Sequence, residues 1–374
     1  MIKVLYLTAE SGTPIGSAYS LIDLIHSVQG NVIPIVVVRS QSAVDFFQDH
    51  GCKTYVVDYP LDITSQKGLK LIISFLPRLL RDIIVYIISL YKLSRICKKE
   101  NIDIIHSNNS VLDIGFFLSK IVGKPHLWHL RELMDLDFGW KPLLGWHYLF
   151  KCLKFSDATL SITSAVKDHY RLNGIKNAYQ ISDAVRSIND VCLDTCKEKY
   201  FMMCGNLSET KGVDFAVRAF GIFNSRIKGY RLRLVGAIKD DYKLYILDIA
   251  KEYGIANEIV FEGYQKNPKP FYAKASGYLM CSKYEALGRV TIEAMFYGCP
   301  VIGRNSGGTK EIIEDGRTGF LFNTEEECAD RMEKVVRDDS IIDIIRNAQE
   351  KAKSDFSLES YGKKIIEIYN NLLS

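Results

Sequence analysis

Two glutamates, Glu285 and Glu293, stand on either side of a glycine within Ser282–Phe322, SKYEALGRVTIEAMFYGCPVIGRNSGGTKEIIEDGRTGFLF. The stretch reads as strand, short loop, helix, strand, glycine-rich loop and helix. Gly288 permits a tight entry into the first of these helices. The N–H groups of Leu287, Gly288, Arg289 and Val290 then become first-turn donors without carbonyl partners, a ready site for phosphate oxygens. Arg289 brings a positive charge to the same place. Glu293 sits one turn in, where a carboxylate can accept hydrogen bonds from ribose hydroxyls. Such a pair is weak evidence alone, because two surface glutamates flanking an ordinary helix have the same spacing.

A second segment of similar chemistry is Gly205-Asn206-Leu207-Ser208-Glu209-Thr210-Lys211-Gly212, which follows an expected strand and precedes a helix. In the first half of the chain, Gly12, Gly16 and Ser17 lie between a strand and a helix, where small residues let backbone approach a phosphate or sugar. A simple turn explains them equally well, and the Lys-Ser/Thr ending of a P-loop is missing. His106-Ser107-Asn108 and Trp128-His129-Leu130-Arg131-Glu132 each close an expected strand. Side chains alternate along a strand, so His129 and Arg131 share a face, and Glu132 points elsewhere unless the strand has ended.

The elements that position these residues follow from apolar periodicity. Strands are expected at Ile2–Leu7, Val32–Val38, Thr54–Val57, Ile104–His106, His126–Leu130 and Ala158–Ile162, with helices between them near Ala18–Gln29, Ala43–His50, Leu69–Lys99 and Val111–Val122. The pattern restarts with strands at Tyr200–Cys204, Arg231–Val235, Ile259–Glu262, Gly277–Met280 and Pro300–Ile302. Helices fit Val213–Ser225, Asp240–Tyr253, Pro270–Ala275, Thr291–Tyr297 and Thr309–Glu314. Alternating strands and helices imply parallel sheets covered on both faces, with ligands at the carboxyl ends of the strands. A chain of 374 residues favours two domains, since single cores rarely grow past roughly 250–300 residues. The boundary falls in the polar stretch Asp183–Lys199.

Ser282–Phe322 resembles the EX7E region of family 4 glycosyltransferases, with Glu285 and Glu293 in the two glutamate positions. PVIGRNSGGTKEII and EDGRTGFLF match the same family's downstream pattern. The resemblance implies an α/β chain of the GT-B fold, two Rossmann-like parallel-sheet domains facing a deep interdomain cleft. The expected division is 1–185 for the acceptor, 186–355 for the nucleotide sugar, and a C-terminal helix, 356–374, returning to the first domain. It implies that Glu285 contacts donor-sugar hydroxyls and Glu293 holds the ribose. GNLSETKG is similar to the family's GRLxxxKG, in which an Arg and a Lys bind the donor diphosphate. Lys211 matches, and Asn206 stands where the Arg is usual, so either Lys211 and Arg289 suffice or the donor sits differently. Gly16-Ser17-Ala18-Tyr19 resembles the glycine-rich Gly-Gly-Ala-Glu loop that faces donor and acceptor. Glu285, His129 and Arg131 are the catalytic residues the resemblance implies, since family members usually carry a histidine whose place either His129 or Arg131 fills here, and His106, Asn108 and Glu132 fall on the acceptor side.

The activity implied is retaining transfer of a hexose-type sugar from a nucleotide-diphosphate sugar to a glycan, lipid-linked or other acceptor. Its setting is cell-surface polysaccharide or glycoconjugate synthesis. There is no DxD motif to hold a cation, so the leaving group falls to the helix N-terminus, Lys211 and Arg289, and no metal or other cofactor is expected. No residue is an obvious nucleophile. A nucleotide-sugar epimerase of the same shape and a non-catalytic sugar-nucleotide-binding module are the alternatives. A nicotinamide oxidoreductase fits poorly, since no GxGxxG follows a strand.

Composition narrows the partners. A net charge of +4, with no stripe of interleaved basic and aromatic residues, gives no case for nucleic acid. The nine cysteines are scattered, and Cys192 and Cys196 have no further ligand at metal spacing, which suggests reduced thiols and a cytoplasmic setting. Met1–Leu7 is too short for a signal peptide. Leu69–Leu93 is strongly apolar but interrupted by Pro77, Arg78, Arg81 and Asp82, against a spanning helix. It reads either as a largely buried helix or as an interfacial one. In the second case Lys67, Lys70, Arg78, Arg81 and Lys92 meet anionic headgroups, giving a peripheral contact through 67–93 on the cytoplasmic face of a membrane.

Overall fold

The computed structural model describes residues 1–12, 16–64 and 68–374, with the side chains of 68–79 excepted. Two units partition the chain: Met1–Ala184 with Tyr361–Ser374, and Val185–Ser360. Both are built on parallel sheets.

The first unit's strands are β1 (Ile2–Leu7), β2 (Val32–Val38), β3 (Lys53–Val56), β4 (Ile104–Ser107), β5 (His126–Leu130), β6 (Ala158–Ser161) and β7 (Ala178–Gln180), in the order β3-β2-β1-β4-β5-β6-β7. β4, β5 and β6 are buried along their whole length, as strands covered by helices on both faces must be. The strand order turns back between β1 and β4, and in such sheets the crevice outside the carboxyl ends at that point is the natural ligand site. The final helix, Leu358–Leu373, belongs to this unit from Tyr361 onward. It buries Tyr361, Ile365, Ile368 and Tyr369, one face at helical spacing.

The second unit repeats the plan with β8 (Glu198–Cys204), β9 (Arg231–Val235), β10 (Ile259–Gly263), β11 (Ala275–Met280), β12 (Val301–Arg304) and β13 (Phe320–Phe322), in the order β10-β9-β8-β11-β12-β13. Its reversal lies between β8 and β11. The segments just after those two strands carry Lys211 and Glu285.

β7, β13 and the helices Trp146–Lys154, Glu325–Arg337 and Ile341–Phe356 go beyond the elements expected from the sequence. Three-residue strands leave no alternation to read.

The apolar segment forms one helix, Gly68–Glu100. The buried reading fails over its described side chains. Ser89, Leu93 and Cys97 face inward, whereas Leu80, Ile83, Ile84, Ile87, Ile88 and Tyr91 are exposed. Lys67 lies outside the described residues, as do the side chains of Lys70 and Arg78. Among the described residues, no helix is long and apolar enough to cross a membrane.

Candidate functional site

In the second unit, β8 runs out at Cys204, and the loop beyond it makes a single 3-10 turn, Glu209–Lys211. β11 ends at Met280, and its loop reaches Glu285 before the Arg289–Phe296 helix starts. Across the reversal point Lys211 Nζ donates to Glu285 Oε2 at 2.7 Å. Asn206, at the head of the same loop, is exposed. Gly288 caps the helix at φ +92°, a left-handed conformation that a side chain would strain. Leu287, Gly288, Arg289 and Val290 therefore form the helix entry, with first-turn amides that no carbonyl of the helix can satisfy.

The loop holding Glu285 is clamped from behind by Ser306-Gly307-Gly308. Gly308 N donates to the Glu285 carbonyl at 2.7 Å. A Cβ on Gly307, itself at φ +54°, would lie 2.7 Å from that oxygen. The SGG of the sequence thus fixes where Glu285 stands. One turn into the helix, Glu293 accepts from Arg186 Nη2 at 2.7 Å and from Tyr272 OH at 3.4 Å.

In the first unit the strand ends carry a buried polar chain. Tyr6 and Tyr369 hydroxyls lie 3.0 Å apart, Tyr369 OH is 2.8 Å from His106 Nδ1, and His106 Nε2 is 3.3 Å from His129 Nδ1. Asp183 gathers the next group. Arg131 pairs with it, Tyr361 OH donates to it at 3.2 Å, and His129 Nε2 stands 3.6 Å away. Arg131 Nε also donates to Asn108 Oδ1 at 3.0 Å, and Asn108 Nδ2 to the Ser17 carbonyl at 3.3 Å. Ser17 follows the exposed Gly16 and donates to Glu10 at 2.6 Å.

His129 and Arg131 thus share a side, both reaching Asp183. β5 has ended at Leu130, and Glu132 turns away to accept from Ser110 N at 2.8 Å, Ser110 Oγ at 2.7 Å and Asn109 Nδ2 at 3.5 Å. Burial pushes the Glu132 carboxyl above its usual range, against those hydrogen bonds. Burial, then the charge of Arg131, holds the imidazoles of His106 and His129 well below their usual value, so both are neutral near pH 7. His106 and His129 have no exposed surface, whereas Arg131 and Glu132 keep 7% and 8%. The histidines therefore stand behind the surface that Arg131 and Glu132 help to form.

Sequence reasoning missed Asp183 and Arg186, which lie at the boundary read as a linker, and the covering tyrosines Tyr361 and Tyr369. The tyrosines, eight positions apart on one helix face, were the only signal available. Among the described residues no three His, Cys, Asp or Glu side chains are grouped to hold a metal ion.

Residues 193–355 match the family described as Glycosyl transferases group 1. N-acetyl-alpha-D-glucosaminyl L-malate synthase of Bacillus anthracis is 29% identical over 177 residues, 47% of this chain and 45% of that one. The lipopolysaccharide core biosynthesis glycosyltransferase LpsE of Rhizobium meliloti is 30% identical over 142 residues, 37% and 40% of the two chains. The chain thus spans less than half the length of these relatives. Over the whole length, the crystal structure of Anabaena Alr3699/HepE in complex with UDP is alike with a TM-score of 0.82 at 20% identity, covering 99% of this chain and 100% of that one. That likeness is one of fold, and the fold is GT-B.

Proposed function

We propose, from the match of residues 193–355 to the group 1 glycosyltransferase family, that the protein transfers a hexose-type sugar from a nucleotide-diphosphate sugar, with retention of configuration. The observation that carries the reading is the Lys211–Glu285 pair at the sheet's reversal point, beside a helix entry with Arg289. The diphosphate lies on the amides of Leu287, Gly288 and Val290, with Lys211 and Arg289 supplying charge. Glu285 takes hydroxyls of the donor sugar and Glu293 the ribose. Asn206 borders the donor without charge. The C1–O bond to the diphosphate breaks, C1 bonds to an acceptor hydroxyl oxygen whose proton passes to the departing phosphate oxygen, and the charge left on the diphosphate is met by Lys211, Arg289 and the amides. No metal ion is required for this, and we assign no side-chain nucleophile. The complex of the Anabaena protein with UDP supports a nucleoside diphosphate as the leaving group.

The acceptor side falls to Arg131, Glu132 and Asn108, with His106 and His129 acting from behind through Asp183 and Tyr369. The acceptor is a glycan or a lipid-linked glycan, in surface polysaccharide or glycoconjugate synthesis, and the LpsE relative supports that class. The exposed apolar stripe on the Gly68–Glu100 helix, with Arg81, Lys92 and Arg95 exposed beside it, favours a peripheral contact with an anionic cytoplasmic membrane face.

The test is release of nucleoside diphosphate from a panel of nucleotide sugars, with and without glycolipid acceptors. Release that requires the acceptor supports transfer. Interconversion of the nucleotide sugar without any acceptor makes the protein an epimerase, and binding without turnover makes it a binding module.

A further inference from the structure

Glu293 does not stand alone on its helix. Its Oε1 accepts from Arg186 Nη2 at 2.7 Å, and Arg186 is committed on two more sides. Its Nε donates to Tyr297 OH at 2.7 Å and its Nη1 to the Val185 carbonyl at 3.1 Å, with the guanidinium over the Tyr297 ring at 6.0 Å. The backbone around it is equally fixed. Val185 N donates to the Phe356 carbonyl at 2.9 Å, and Leu358 N to the Arg186 carbonyl at 3.0 Å. Val185 and Ser360 are the ends of the second unit, so Arg186 lies where its first and last segments run side by side. Lysine, a point charge, could not serve three partners in this planar arrangement.

A carboxylate offers about four lone-pair sites. Arg186 takes one on Oε1 and Tyr272 OH, at 3.4 Å, a weak one on Oε2. Among the described residues the others have no hydrogen-bond partner, so these two donors set how the carboxylate is turned. We propose that Arg186 is a positioning residue of the donor site, holding the Glu293 carboxylate with its open lone pairs toward the ribose hydroxyls. The inference rests on the reading of Glu293 as the ribose contact. It adds a residue that acts through Glu293 and ties the nucleotide site to the paired end segments of the unit.

The experiment is titration calorimetry of the full chain with UDP, GDP, ADP and CDP. The tightest binder is then compared with its 2′,3′-dideoxy form. Wild type prefers the ribonucleotide. In Arg186→Gln the ribonucleotide weakens about tenfold, while the dideoxy form changes less than twofold, so the preference collapses. Arg186→Lys keeps part of it. Glu293→Gln collapses it too, and the double variant falls no further. A general loss of structure would weaken both nucleotides alike, and a thermal melt of each variant reads that separately. A preference that survives Arg186→Gln but not Glu293→Gln overturns this inference and leaves the ribose reading standing. A preference that survives Glu293→Gln, or the binding of none of the four nucleotides, overturns both.

Discussion

Lys211 and Glu285, 74 residues apart, hold each other at 2.7 Å, and each is assigned a group of the donor that replaces or shares this bond. Removing the lysine takes away one charge at the diphosphate. Lys211→Ala is expected to lower kcat/KM for the donor at least tenfold, about 1.4 kcal/mol, the scale of one charged contact. Unchanged steady-state kinetics would remove Lys211 from the site. The glutamates and Lys211 were legible in the sequence because their motifs are local. Arg186 was not, since its partner lies 107 residues on and nothing near position 186 announces it. Asp183 was lost for the same reason among residues that read as a linker. The buried histidines make a separate prediction. Burial holds His126 down to about 3, although the charge of Asp157 opposes it. An unfolded imidazole titrates near 6.5, so below that pH the unfolded chain binds more protons and stability falls as pH drops toward 3. Asp113, raised to about 7 by burial and then by Asp62, works in the opposite sense between about 4 and 7. The informative quantity is therefore the difference between wild type and His126→Gln in urea melts from pH 7 to 4.5. The variant should lose less stability on acidification; equal slopes would show that His126 is not neutral in the fold.

At the scale of elements, the Gly68–Glu100 helix shows what periodicity leaves open. The sequence shows a strongly apolar segment interrupted by charges, either largely buried or interfacial, but not which side would be covered. The fold instead turns Ser89, Leu93 and Cys97 inward and leaves Ile84, Ile87, Ile88 and Tyr91 outside, with Lys92 and Arg95 among them. Each basic residue near an anionic surface contributes about 1 kcal/mol. Co-sedimentation with vesicles containing anionic lipid should therefore be salt-sensitive, and it should fall about tenfold or more in Lys92→Glu/Arg95→Glu. Wild type and variant both remaining in the supernatant would leave a soluble acceptor as the better account. The glycine clamp is a second element-scale device. At Gly307, a Cβ 2.7 Å from the Glu285 carbonyl forces the loop to move. Gly307→Ala should lose donor affinity about tenfold while the melting temperature falls by only a few degrees, since strain of this kind costs about 1–3 kcal/mol. Full donor affinity in Gly307→Ala would mean that the loop's position is not what places Glu285. The clamp was half legible: the SGG was visible, but its contact with a segment some twenty residues earlier needed the fold.

Across the whole molecule, the repeated alternation of strands and helices was readable because each βαβ unit carries its own apolar signature. The short strands β7 and β13 carry too few residues for one. Both sheets reverse at a point where the expected site residues gather, Asn108 and Arg131 in one unit and Lys211 and Glu285 in the other. Leaving-group charge met by amides and side chains requires no cation, so turnover should survive excess EDTA. Loss of activity in EDTA, restored by Mg²⁺ or Mn²⁺, would reject that part. The central claim is sugar transfer, and mass spectrometry of the acceptor reads it most directly. The protein is incubated with UDP-, GDP- and ADP-sugars and a glycolipid extract of its own organism, beside Lys211→Ala and Glu285→Gln. The account predicts an acceptor heavier by one sugar residue, formed with one donor class and reduced at least tenfold in both variants. An acceptor unchanged with every donor, or one modified equally by wild type and the two variants, would contradict it.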